Sequence, residues 1–332
     1  MKNKLIASFI LVGLLAACKV DDEFAGPSLN DLYGSFRVLQ PLDISDREVD
    51  FAAGETTFFT AEFSKNVDWE VQVKGLTSGA VKRITGFDSN LNEANALWNG
   101  TTTSLPMFRV EDCAVQLTIA GVADTLRDTL SVVSNRINEG LLLSDFENGF
   151  NPDWVPFVQS GANMTFNVVD ATDAAQGNRY YDMGGTVNWD WLIGMFDIPA
   201  SAYGADHFQL NSNPDNVYFN TFLFKPENIS NSLVLFQFRE DDDGDGVYTA
   251  GEEDMYSVQI DPSQDGWQHL YYKYADLQTL VNGAPSAAIG NGLREPDKLL
   301  QVSMLFLANP TSGYSQGYLD YMIFTENGPL IP

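Results

Sequence analysis

Leu233-Val-Leu-Phe-Gln-Phe-Arg239 and Met255-Tyr-Ser-Val-Gln-Ile260 are two strand-like runs either side of an acidic loop, Asp241-Asp-Asp-Gly-Asp-Gly-Val-Tyr-Thr-Ala-Gly-Glu252. The loop fits the pattern D-x-[DN]-x-[DN]-G-x5-E at every specified position. A tight turn would bring Asp241, Asp243 and Asp245 toward one point, and Gly246 would permit the bend. The carbonyl of Val247 and a bidentate Glu252 would complete an all-oxygen shell suited to calcium. Strands on both flanks, in place of a helix pair, make this a calcium loop closing a β-hairpin, with no sensor role. The plainer alternative is a solvated acidic tip, but its crowded like charges repel unless a cation sits among them.

Outward from this hairpin the chain continues in the same style. Met164–Val169, Val217–Phe224, Trp267–Tyr272, Leu299–Leu307 and Tyr318–Phe324 all read as strands, with one turn or short helix at Tyr274–Leu280. Nearer the N-terminus, Trp69-Glu-Val-Gln-Val73 and Val115-Gln-Leu-Thr-Ile119 alternate apolar and polar residues with period two. No long segment of period 3.6 competes, so the expected class is all-β. Residues 33–134 suit an immunoglobulin-like sandwich, 135–140 a short linker, and 141–327 a β-jelly roll.

The composition narrows function by exclusion. Among 332 residues, 45 are acidic and 18 basic, a formal charge of −27 that repels a phosphate backbone and argues against nucleic acid as partner. Two cysteines rule out a disulfide scaffold, and two histidines make a histidine-based centre unattractive. Cys113 lies in a strand-like run and is expected to be a buried thiol. No H-E-x-x-H or phosphate-cradling loop occurs, and Glu252-Glu-Asp-Met-Tyr-Ser257 misses the last position of the E-x-D-x-x-E signature of jelly-roll glucanases. The expected protein is not an enzyme.

The first residues read as an address. Lys2 and Lys4 precede the apolar Leu5–Leu14, and Leu15-Ala-Ala-Cys18 resembles a bacterial lipobox. The resemblance implies a signal peptide over 1–17 and acylation of Cys18, which would anchor the chain to outer-membrane lipid. The acidic Asp21-Asp-Glu23 that follows resembles the signal exporting lipoproteins of Bacteroidota to the outer face of the outer membrane. Residues 18–32 are then a tether.

Further along, Leu143-Ser-Asp-Phe-Glu-Asn-Gly149, Gly177-Asn-Arg-Tyr-Tyr-Asp-Met-Gly-Gly185, Asp265-Gly-Trp-Gln-His-Leu-Tyr-Tyr272 and Gly317-Tyr-Leu-Asp-Tyr-Met-Ile-Phe324 occur in that order. Together they resemble the galactose-binding-like jelly roll of carbohydrate-binding modules. With its lipoprotein start, the whole chain resembles a surface glycan-binding lipoprotein of a Bacteroidota polysaccharide-utilisation system. That resemblance implies capture of polysaccharide or oligosaccharide beside a TonB-dependent transporter. It also implies a second structural calcium joining the first and last strands through Glu147 and Asp320, with Asp145 near. Candidate ligand-binding residues are Trp154, in the proline-bordered loop Asn151-Pro-Asp-Trp-Val-Pro156, and Trp189 and Trp191, which share one face of a strand that is either core or sugar platform. Arg179 and Tyr180 join them. Trp267 is expected in the core. The alternatives are an adhesive or structural surface lipoprotein, and a polysaccharide-degrading enzyme whose site leaves no pattern.

Overall fold

The computed structural model describes residues 34–187, 192–229, 233–262, 264–308 and 313–332. Cys18, Asp21–Glu23, Trp189 and Trp191 lie outside them. The described chain is all-β, and no helix among these residues is long and apolar enough to cross a membrane.

The first layer system holds β1 (Val38–Ile44), β2 (Glu48–Asp50), β3 (Thr57–Gly75), β4 (Val81–Leu91), β5 (Leu97–Trp98), β6 (Glu111–Ile119) and β7 (Leu126–Ser134). Strand order is β1-β3-β6-β7-β2, with β4 and β5 also pairing β3. The nineteen residues of β3 serve both ends of the sheet: Phe59–Phe63 pair β1, and Trp69–Gly75 pair β6. Period-two alternation points Phe59, Trp69, Val71 and Val73 inward, where Trp98, Cys113, Val115 and Leu117 complete the core.

After the linker come β8 (Leu141–Ser144), β9 (Val155–Val158), β10 (Ala162–Asp170), β11 (Arg179–Thr186), β12 (Leu192–Pro199), β13 (Val217–Lys225), β14 (Leu233–Glu240), β15 (Met255–Ile260), β16 (Gly266–Lys273), β17 (Leu280–Val281), β18 (Ala284–Pro285), β19 (Leu299–Leu307) and β20 (Ser315–Glu326). Two antiparallel sheets, β10-β11-β20-β13-β16 with β8 beside β20, and β15-β14-β19-β12-β9, face each other. Phe196, Phe219, Phe236, Phe238 and Phe306 interleave between them, fully buried. Each contributes roughly 1.5–3 kcal/mol by leaving water. Tyr274–Asp276 is a single 3-10 turn.

Two of the expected aromatic placements are reversed. Trp154 belongs to the core: it is 3% exposed and stacks on Phe196 at 5.0 Å, with Phe146 and Phe150 edge-on. Its loop folds back under the sandwich, so the flanking prolines shape a turn over the core and do not lift the indole into solvent. Trp267 is only half-buried, on the outward face of β16, where it packs edge-on to Tyr180 and Phe224.

The two layer systems meet in a small apolar cluster of Met107, Ala175, Phe222, Tyr321, Ile323 and Leu330. The chain's last residues return to the first system, where the Thr102 amide donates to the Pro332 carbonyl at 2.7 Å.

Candidate functional site

Because Val234, Phe236 and Phe238 of β14 face the core, Leu235, Gln237 and Arg239 face outward. Register then builds rows across the outer face of the five-stranded sheet. One row is Gln259, Leu235, Leu305, Met195 and Phe157. Beside it runs Ser257, Gln237, Ser303, Asp197 and Val155. Four steps between strands make each row about 19 Å long at the usual spacing. At one end the β17–β18 hairpin stands beside the face and encloses a cleft of about 470 Å³ lined by Leu235, Gln237, Gln259, Leu280, Asn282, Gly283 and Leu307. At the other end Phe157 is 47% exposed. Asp197 is occupied by the Ser303 hydroxyl, with the Arg239 guanidinium 4.0 Å away, so the charge in the polar row is partnered. The surface offers apolar carbon from Leu235, Leu305, Met195, Phe157 and Val155, with Gln237 and Gln259 as its accessible neutral hydrogen-bonding groups, while Ser257 and Ser303 are buried. Sequence reading missed it, because its rows join residues up to 148 positions apart (Phe157 and Leu305) and only register reveals them.

The acidic hairpin tip follows β14. Asp241 is fully buried; one oxygen accepts the amides of Gly244 and Asp245, and the other accepts from Gly246 and His207 Nε2. Asp241, Asp243 and Glu253 bring carboxylate oxygens within 4.8 Å of one another. Glu253 takes the place expected for Glu252. The turn in which the Glu252 and Glu253 amides both donate to the Thr249 carbonyl leaves Glu252 exposed and turns Glu253 inward. Asp245 is exposed, holding the Val247 amide, and stands outside this trio. An all-carboxylate, hard-oxygen set suits calcium. Adjacent to it, burial pushes the Glu240 carboxyl up to about 8.

At the junction of first and last strands the structure gathers Asp145, Glu147 and Asp320. Asp320 is fully buried. Oδ2 accepts the Gln176 amide at 2.8 Å, the Tyr321 amide lies beside the carboxylate, and Oδ1 has no partner among the described residues. Gln176 Oε1 is likewise buried and unpartnered. Burial, with Glu147 and Asp145 nearby, holds the Asp320 carboxyl well above the usual carboxylate range. Positive φ at Phe146 (57°) and Tyr321 (46°) turns the chain beside both acids, a conformation costly for such side chains. Gly177 lies so close to Glu147 that a Cβ would sit 2.3 Å from the carboxyl carbon. Orphaned buried oxygens among several carboxylates fit a hard cation.

Arg179 acts structurally: Nη1 donates to the Glu147 carbonyl at 3.0 Å and Nε to Asp170 at 2.6 Å. Tyr180, 8% exposed, stacks on Tyr318 at 4.6 Å and presents little free surface. The structure brings neither near the cleft's lining.

No protein-family model matches the chain, and no curated protein matches it. Solved structures do. A carbohydrate-binding module of the β-sandwich superfamily aligns at 13% identity over 89% of this chain and 99% of its own, with a TM-score of 0.37. A family 11 carbohydrate-binding module from Clostridium thermocellum, bound to a mixed-linked tetrasaccharide, aligns at 14% over 60% of this chain and 100% of its own, TM-score 0.37. SGBP-B from a xyloglucan utilization locus of Bacteroides uniformis aligns at 11% over 86% and 73%, TM-score 0.33. At these values none of them assigns a ligand to this chain.

Proposed function

We propose that this protein binds a neutral polysaccharide along the outer face of the β15-β14-β19-β12-β9 sheet and does not cleave it. The observation that carries the reading is the outer face of the five-stranded sheet, where Leu235, Leu305, Met195, Phe157 and Val155 give apolar surface and Gln237 and Gln259 give hydrogen-bonding groups beside the hairpin-walled cleft. A sugar chain has the same two characters, C–H faces and hydroxyl edges. A net charge of −27 disfavours uronic-acid polymers. Trp189 and Trp191 stay candidates from sequence; Leu192, the next described residue, pairs with Leu307 of the cleft. Calcium at Asp241, Asp243 and Glu253, and at Glu147 and Asp320, is part of the reading. So is acylation at Cys18, with the protein on the outer face of the outer membrane, delivering glycan to a TonB-dependent transporter.

Native gels cast with mixed-linkage glucan, xyloglucan, xylan, mannan or polygalacturonate test it. Retardation by a neutral polymer and none by polygalacturonate is expected, with reducing ends flat over time. Gln237→Ala with Gln259→Ala should abolish retardation while the melt stays within about 0.5 kcal/mol, as for surface changes. A double variant retarded like the native protein would sink the cleft assignment; silence across the panel would favour an adhesive role; rising reducing ends would make the protein an enzyme.

A further inference from the structure

We propose that a divalent cation held by Glu147, Asp320 and Gln176 locks the angle between the two layer systems, through a loop that Arg109 grips from the opposite side. The inference rests on the second cation site of the preceding reading and is independent of glycan binding.

The loop is residues 172–178, between β10 and β11, and it is held from both sides. Four of its oxygens face the first layer system, while the Asp173 carbonyl accepts from Trp267 Nε1 of β16. Arg109 Nη2 donates to the carbonyls of Thr172 and Ala174 at 3.0 and 3.2 Å, Nη1 donates to Asn178 Oδ1 at 3.2 Å, and the Met107 amide donates to the Ala175 carbonyl at 2.8 Å. Its amides face the acids. Gln176 donates to Asp320 at 2.8 Å, and Asn178 and Arg179 donate to Glu147 at 2.7 and 2.8 Å.

Arg109 is 5% exposed and is itself fixed. Its amide donates to Glu111 Oε1, and the other Glu111 oxygen accepts the amides of Thr77 and Ser78 within the first layer system. Among the described residues its acceptors are all neutral and its Nε is buried without a partner, so the buried charge depends on the contacts its Nη1 and Nη2 make to the loop. The loop is therefore the bridge between the layer systems, and the acids set its far side.

Asp320 Oδ1 and Gln176 Oε1 are buried without hydrogen-bond partners among the described residues, and the charges of Glu147 and Asp145 act on the buried Asp320 carboxyl. A cation satisfies those oxygens and fixes the carboxylates that hold the loop's amides. Tyr321, next to Asp320, carries the same constraint into the linker, because its hydroxyl accepts from Asn138 Nδ2 at 2.8 Å. Loading thus fixes the bridge and the linker together.

Small-angle scattering of the full chain with Glu253→Ala, which silences the hairpin-tip site, tests the lock. Chelation with EDTA should enlarge and broaden the distance distribution, speed amide exchange over 172–179, and be reversed by calcium. Arg109→Ala in calcium should scatter like the chelated chain while keeping its calcium-dependent rise in melting temperature. Asp320→Asn should lose both responses; should that variant not fold, the Arg109→Ala and chelation data decide alone. Scattering and 172–179 exchange indifferent to EDTA would overturn the lock, whether calcium still shifts the melt or not. Neither outcome depends on retardation by glycan.

Discussion

Trp154 fills a space bounded by Phe146, Phe150 and Phe196, so removing its indole opens a cavity that those rings cannot close. Trp154→Ala should therefore cost about 3–5 kcal/mol in a urea melt and leave glycan retardation of the folded fraction unchanged. A mild melt with lost retardation would return the residue to the binding surface. Cys113 gives a second check on burial. Its thiol is pushed up to about 12, first by burial and then by Glu111 and Asp112. With so little thiolate it should resist iodoacetamide at pH 8 until urea exposes it. That Cys113 is buried was legible from its strand-like surroundings. That Trp154 is buried was not, because the prolines beside it describe the local path and say nothing of where the path returns.

At the scale of elements, period-two alternation marked Trp69–Val73 and Val115–Ile119, while strands such as β13 and β20, buried along most of their length, were legible as apolar and aromatic runs. What alternation could not supply was the length of the hairpin tip. The D-x-D-x-D-G spacing identified the acids, but the turn at Thr249 shifts the inward carboxylate by one residue. The two glutamates make opposite predictions. Glu252→Ala should leave the calcium-dependent melt intact, and Glu253→Ala should shrink it. A cation at a hundredfold excess over its Kd adds about 2.7 kcal/mol to the folded state, a shift that calorimetry resolves easily. Equal behaviour of the two variants would argue that the trio holds no ion. The glycan face was out of reach of any local pattern, because Phe157, Met195, Leu305, Leu235 and Gln259 become neighbours only through register.

For the whole molecule, location is the prediction that sequence alone motivates. Cys18→Ala should move the protein from the membrane fraction to the soluble one. Neutralising Asp21, Asp22 and Glu23 should keep it membrane-bound but shield it from protease added to whole cells. Digestion as rapid as for the native protein would remove the export signal from the account. The order of strands in the larger sheet adds a consequence in time. β20, from Ser315 to Glu326, pairs with β8, β11 and β13 at the middle of that sheet. Every nascent chain shorter than this lacks the keystone, leaving β11 and β13 as open edges. The second layer system thus cannot close before translation has passed residue 326. Contacts this distant in sequence also make for slow closure, so the interval in which β11 and β13 are open edges is where folding of this protein is most exposed to failure.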